Sequence, residues 1–363
     1  MVKIKKLFIL LMVVAVMFSV GCGSNNNSGV SKTGFFLDTV CSVTVYGIDE
    51  TNDYFDYKDK DERETQILQL ITDAFKLCTE YENKLSKTIA NSDIARINSS
   101  NGNSVEVDDD TAEVIKKGIE YGRLSGGVFD ITIGRVTDLW DFRSEEDRDN
   151  ADAGRIPDEN KLKQAVAHVN YKDIQIDGNK VALKDPDIEV DLGGIAKGYI
   201  ADRLTEFLQA NGVTSAIIDL GGNIAAIGGK TPKLSGGDES EFSIGIKDPA
   251  SDEGELIGLI KCKDKTIVTS GTYERYFESE GKIYHHILNP DTGYPVDTDV
   301  LSVTIIGDKG HSVDCDALST SCLALGREKA MKLIHSIDGV EAVIVDSSGN
   351  IYMSDDSIPF EEL

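Results

Sequence analysis

Two Asp-Leu-Gly-Gly turns, one in VDLGGIAKGY at residues 190–199 and one in IDLGGNIAAIGG at residues 218–229, constrain this chain more than any other feature. Each follows an apolar, strand-like run and sets an acidic side chain beside backbone that lacks a Cβ and turns freely. An α/β protein presents carboxylates and bare amides to a phosphate-bearing ligand in this way. A third stretch, DCDALSTSCLALG at residues 314–326, adds carboxylates and hydroxyls to an apolar run.

The amino terminus stands apart from the fold. Lys3, Lys5 and Lys6 precede the apolar residues 7–20, and Gly21-Cys22 follows, the order of an export signal. The apolar run is short for a transmembrane span. Cys22, between a small residue and the polar GSNNNSG, resembles the lipid-modified cysteine of a bacterial lipoprotein, although Ser19 stands where such signals usually carry Leu, Val or Ile. We therefore expect a signal peptide at residues 1–21, a polar tether at 22–32 and one folded unit at 33–363. Lipidation would hold that unit at the extracytoplasmic face of the cell membrane.

About 340 residues remain, enough for one large domain or two closely packed ones. With 63 acidic against 37 basic residues and a formal net charge of −26, the chain is unsuited to nucleic acid and to anionic lipid surfaces. Cys41, Cys78, Cys262, Cys315 and Cys322 show no CxxC spacing, which argues against a zinc site or a disulfide framework and for buried small apolar residues.

Periodicity predicts strands at residues 39–47, 188–192, 215–220, 242–246, 256–262, 266–269, 283–288, 302–306 and 342–346, and a hairpin around Asp177-Gly178. Helices are predicted at residues 65–86, 111–125, 162–170, 196–210, 317–325 and 328–337. Residues 49–64 and 144–157 read as charged surface loops. The class is α+β, with several antiparallel pairs and no regular βαβ succession.

In the first double-glycine turn, Asp191 closes a strand, Gly193 and Gly194 allow a tight path, and Lys197 opens a helix whose amides face the turn. This suits an anion; a plain strand-turn-helix joint with a surface lysine has the same pattern. Adjacent glycines do not match GxGxxG, and no Gly-Lys-Ser/Thr completes a Walker A loop. Asp316 and Thr320 lie four apart, so a helix starting near Asp316 would put both on one face, where they could hold a hard cation. Alternatively Asp314 or Asp316 is an N-cap and Thr320 filler. Adjacent His285 and His286 on a strand point to opposite faces, and one of them, turned to a ligand, could take a proton near neutrality. Val128, Phe129 and Asp130, with Trp140 nearby, line a pocket for a planar ring or form core.

Read in order, LDT (37–39), LSKTIANSDIARIN (85–98), GGVFDITIG (126–134), VDLGGIAKGY, IDLGGNI, IGIKDP (244–249), TSGTYER (269–275), HHILNPDTGYP (285–295) and DALST (316–320) resemble the ApbE family of FAD:protein FMN transferases. The resemblance runs from about residue 33 to the end. Leu37-Asp38 replaces the usual Met-Gly, and Thr88 stands where an aromatic is common.

The resemblance implies mixed, largely antiparallel sheets flanked by helices. It also implies a Mg2+-dependent enzyme that esterifies FMN from its substrate FAD to a Thr or Ser hydroxyl of a target protein, with release of AMP. Asp316, Thr320 and a backbone carbonyl, that of Gly194, match the metal ligands. Leu37, Thr88, Val128, Phe129, Asp130, Asp191, Lys197 and Leu288 fall at FAD-contact positions, and His286 matches the histidine of H-x-x-x-P-x-T-G, the candidate base. The implied partner is an extracytoplasmic subunit of a membrane redox complex bearing a Ser/Thr flavinylation motif. A Mg2+-dependent FAD pyrophosphatase and a non-catalytic flavin-binding lipoprotein are the alternatives.

Overall fold

The computed structural model describes residues 29–140, 142, 155–230, 240–251 and 254–363. The expected signal peptide, Cys22 and most of the second charged loop lie outside the described residues.

Strands β1 (Val30–Phe36) and β2 (Thr39–Ile48) open the fold as a hairpin, followed by helices α1 (Lys60–Leu85) and α2 (Asp93–Asn98), strand β3 (Val105–Glu106) and helices α3 (Asp109–Leu124), α4 (Gly134–Thr137) and α5 (Glu159–Val166). Next come β4 (Ile174–Asp177), β5 (Lys180–Leu183), α6 (Ala196–Ala210), β6 (Val213–Leu220), β7 (Asn223–Ile227), β8 (Phe242–Lys247), β9 (Leu256–Cys262) and β10 (Lys265–Gly271). The chain ends with β11 (Tyr276–Ser279), β12 (Lys282–His285), β13 (Val300–Asp308), α7 (Ser312–Leu325), α8 (Arg327–Ile334), β14 (Val340–Asp346), β15 (Ile351–Met353) and β16 (Phe360–Glu362).

Eight strands form one sheet in the order β1-β2-β6-β7-β10-β13-β14-β15, and the pairings are antiparallel. Smaller sheets pair β11 with β12, β9 with β16 and β8, and β5 with β3 and β4. The α+β expectation holds. Strand alternation splits the core: Val303, Ile305 and Ile344 face α6 and α7, while Ile306 and Val343 face β8 and β9. Because both faces are covered, β13 and β14 read as nearly unbroken apolar runs. Cys41, Cys78, Cys262, Cys315 and Cys322 are all buried and unbridged, as expected.

Several expectations need correction. The strand expected at residues 283–288 stops at His285, and α1 starts at Lys60, inside the segment read as a charged loop. Residues 188–192 form no sheet strand; they meet the neighbouring segment at the parallel bridge Ile133↔Glu189 and through Asp191 N, which donates to Ile131 O at 2.7 Å. The apolar alternation is real, since Ile188, Val190 and Leu192 are buried, but the Asn98 side chain satisfies this backbone. It donates to Val190 O at 2.9 Å and accepts from Val190 N at 2.7 Å, in place of a neighbouring strand. Helix α7 begins at Ser312, so Asp316 stands in its second turn and is no cap. The amides of Ser312 and Val313 instead donate to Asp202 of α6, at 2.9 and 3.0 Å. Finally, β1 starts at Val30, so the last residues assigned to the tether belong to the edge of the main sheet.

Candidate active site

Helix α6 leaves the first double-glycine turn without a side-chain cap at Ile195; Ala196 N donates to Leu192 O at 2.9 Å, which leaves the amides of Lys197 and Gly198 for other partners. One is used: Gly198 N donates to Asp316 Oδ2 at 2.8 Å. Only glycine fits at position 198, because a Cβ there would lie 2.2 Å from Ser312 O and 2.7 Å from Asp316 Cβ. This close approach of α6 to α7 is what carries Asp316 to the turn. Thr320 Oγ1 lies 3.6 Å from where a Gly194 Cβ would stand, and 3.5 Å from Ser270 Oγ at the end of β10. Gly194, Asp316 and Thr320, distant in sequence, are therefore neighbours.

These three offer a carboxylate, a hydroxyl and a carbonyl, all hard oxygen donors of the kind that suits Mg2+. Asp316 is buried, and among the described residues Gly198 alone donates to its carboxylate. Burial pushes its carboxyl above the usual range, and the charge of Lys197 opposes that rise. A buried carboxylate with one hydrogen bond is a group that a cation would relieve, so the residues fit the ion. A different trio, His168, Asp185 and Asp187, brings its ligand atoms within 4.8 Å of one another. There His168 Nδ1 already bonds Asp185 and Arg135 pairs with Asp187, which makes it a surface ion network.

Lys197 forms no salt bridge with a described carboxylate, yet its charge favours the ionised forms of Asp219, Glu274 and Asp316 and disfavours protonation of His286. It is thus a cation held among several acids with none of them as a fixed partner, as an anion-binding lysine should be. Glu274, pushed up to about 6 by burial, drawn down by Lys197 and raised by Asp316, belongs to this group. Although TSGTYER stood out in sequence, nothing in its spacing singled out Glu274 or Arg275.

Only His285 lies on a strand, the last residue of β12; His286 follows it, so strand alternation does not set their faces. His285 is buried, with Nε2 3.2 Å from Val296 O and Nδ1 without a partner among the described residues. Half-buried His286 donates its backbone amide to Arg275 O at 3.0 Å, and its Nδ1 lies 3.3 Å from the same oxygen. Desolvation first, then the positive charges of Arg275 and Lys197 and the neighbouring His285, push His286 down to about 3. Its imidazole is neutral at physiological pH.

The remaining expected contact positions fall into three groups. Leu37 and Asp38, both at φ 56, form the two-residue turn between β1 and β2, a left-handed pair that normally favours Asn-Gly. Leu37 N donates to Glu82 Oε1 at 2.9 Å, and Arg275 Nη2 donates to Asp38 O at 3.1 Å. Thr88 lines a cavity of about 250 Å³ with Lys87, Asn98, Asp138 and Glu189. Lys87 Nζ ties that loop to Asp191 Oδ2 at 3.2 Å and to Thr137 Oγ1 at 2.7 Å.

Phe129 packs on the first turn, its Cε2 3.1 Å from where a Gly194 Cβ would be, and half-buried Val128 follows Gly126 and Gly127, both at positive φ. Asp130 is spent internally: it accepts from Thr132 N, Thr132 Oγ1 and Tyr171 N at 2.8, 2.6 and 2.9 Å. Its side chain shapes the loop that presents Phe129. Leu288 is buried in a satellite cluster with Trp140 and Phe277. Trp140 donates Nε1–H to Gly293 O at 2.9 Å and stacks on Phe142, so it is core and no ring platform.

A sequence model of the ApbE family matches residues 37–344. An FAD:protein FMN transferase of Treponema pallidum is 30% identical over 348 residues, spanning 92% of this chain and 90% of that one. One from Klebsiella pneumoniae is 33% identical over 288 residues, covering 78% and 84%. Among solved structures, the ApbE protein of Thermotoga maritima superposes with a TM-score of 0.72 at 30% identity, over 90% of this chain and 96% of that one. The flavinyl transferase ApbE of Pseudomonas stutzeri, in its apo form, gives 0.71 at 25% identity, over 89% and 93%.

Proposed function

Since this chain belongs to the ApbE family, we propose that its site transfers FMN from FAD to a Ser or Thr hydroxyl of a target protein, with Mg2+ bound and AMP released. That it is a flavin transferase follows from its relatives. The finer reading is supported above all by the meeting of Gly194, Asp316 and Thr320 beside Lys197, which pairs with no described carboxylate.

In this reading the side chain of Lys197 and its own backbone amide bind the pyrophosphate. Asp316, Thr320 and the Gly194 carbonyl would hold Mg2+, which supplies Lewis-acid neutralisation of phosphate charge. The acceptor oxygen attacks the FMN-side phosphorus, the phosphoanhydride bond breaks, and AMP leaves with the bridging oxygen. His286 takes the hydroxyl proton, a contribution of roughly 10²–10⁴-fold. No covalent enzyme intermediate is required.

No helix among the described residues is long and apolar enough to cross a membrane. The signal-like terminus and Cys22 support a lipid anchor, with the site facing extracytoplasmic parts of membrane redox subunits.

The protein is incubated with FAD, Mg2+ and a Ser/Thr-bearing acceptor domain. An acceptor heavier by FMN, with AMP, supports transfer; FMN with unmodified acceptor would mean hydrolysis, and intact FAD mere binding. Asp316→Ala should abolish transfer while the protein stays folded, and wild-type turnover in that variant would refute the metal assignment.

A further inference from the structure

We propose that Arg275 is a positioning residue, whose carbonyl holds His286 with Nε2 as the working nitrogen and whose guanidinium locks that histidine to the β1–β2 turn. The proposal rests on the reading of His286 as the base.

The geometry sits on one residue. Arg275 O accepts the His286 backbone amide at 3.0 Å and lies 3.3 Å from its Nδ1. A carbonyl only accepts, so the ring nitrogen facing it must carry hydrogen, and the lone pair is left on Nε2. The same residue's Nη2 reaches Asp38 O at 3.1 Å, and among the described residues its guanidinium forms no salt bridge. Asp38 and Leu37 occupy left-handed backbone that only glycine adopts without cost, so this turn needs outside contacts to keep its shape. Glu82 supplies one through Leu37 N, and Arg275 supplies the other. The turn at an expected flavin contact and the proton acceptor are thereby joined through a single side chain and its own carbonyl.

The charges around His286 come from several elements. Arg275 and Glu274 lie on the β10–β11 connection, His285 on β12, and Lys197 on α6; Arg275, His285 and Lys197 all disfavour the protonated ring. Removing the guanidinium should therefore raise the protonation midpoint of His286 as well as loosen the ring.

The test uses the full protein with ¹⁵N-labelled histidine, and two-bond ¹H–¹⁵N correlations to read tautomer and titration, the His286 signal being identified by its loss in His286→Gln. In the wild type His286 should be the Nδ1–H tautomer. Arg275→Gln, which keeps the carbonyl, should keep the Nδ1–H tautomer but move the midpoint upward and lower kcat for FMN transfer about ten- to a hundredfold with the KM for FAD little changed. Arg275→Lys should keep the midpoint low, because the charge remains, yet still lose turnover, because the grip on Asp38 O needs the longer fork. An Nε2–H tautomer in the wild type would overturn the proposal, even if Arg275→Gln failed to fold. So would Arg275→Gln with midpoint and kcat unchanged, or with only the KM for FAD raised, since the guanidinium would then be a substrate ligand. A wild type with the expected tautomer but no FMN transfer would instead sink the functional reading and leave the positioning role standing.

Discussion

Asp316 and Thr320 project from α7, a helix buried along most of its length between the eight-stranded sheet and α6, whereas His286 follows a two-stranded hairpin that joins no other sheet. The first support is rigid: Asp202 caps α7 from α6, and glycine at 198 lets the two helices touch. The second is local. A lone two-stranded hairpin is marginal in water, and this one depends on Phe277 and Tyr284 packing against Trp140 and on the latch through Arg275. The proposed binding corner is thus preorganised by the core, and the proposed base is held by a satellite. Binding and chemistry should then be separable by mutation.

The largest expected effect tests that separation directly. His286→Ala should lower turnover of FMN transfer by roughly 10²–10⁴-fold while FAD affinity, measured by flavin fluorescence, stays within a few fold. An equal loss in affinity would show that hairpin and corner form one binding unit, and the contrast would collapse.

Next comes the satellite itself. Trp140 touches Phe142, Phe277, Tyr284 and Tyr294 and bonds Gly293 O at 2.9 Å. Trp140→Ala should cost about 3–5 kcal/mol wherever that cluster is ordered. Hydrogen exchange should locate the loss, with amides of β11 and β12 exchanging much faster and those of α7 scarcely altered. Uniform acceleration over both would mean that the satellite belongs to the main cooperative unit.

The same division explains what could be read in the chain beforehand. Helix α6 was legible to the residue because a double-glycine turn opens it and Asn211-Gly212 closes it, both local signals. The start of α7 was not, because its cap is Asp202, some 110 positions away. Strand β7 was hidden within a run read as a turn, and the side chain that stands in for a partner strand at Val190, Asn98, has no periodic signature. Asp316, Thr320, Gly194 and Lys197 stood out as candidates because motif order marked them, and the structure makes Gly194, Asp316 and Thr320 neighbours. Arg275 and Glu274 did not, because their surroundings arise from what a connecting segment meets in space. Asp130 was recognisable as a position, but its carboxylate turns inward to the backbone.

Acid offers the finest probe, because it pulls the two regions in opposite directions. Burial pushes His285 from 6.5 down to about 4 in the folded protein. Its stabilising effect is complete above pH 6.5 and is lost as pH falls from there toward 4, since the unfolded chain binds the proton first. At about 1.4 kcal/mol per pH unit, that loss is about 3 kcal/mol. Asp202 runs the other way: burial lifts its carboxyl from 3.8 to about 6, so the folded state takes up the proton first and gains as pH falls from 6 toward 3.8. That gain is of similar size, about 3 kcal/mol, and global stability should therefore change little from these two groups although their surroundings diverge. His285→Gln should remove the hairpin's share, so that its stability relative to the wild type improves by about 3 kcal/mol between pH 7 and pH 4 in urea unfolding. Asp202→Asn should worsen by a similar amount over the same range. Parallel curves for both variants and the wild type would mean that neither group is held as its burial implies, and the opposition between core-built corner and satellite-held base would lose its electrostatic support.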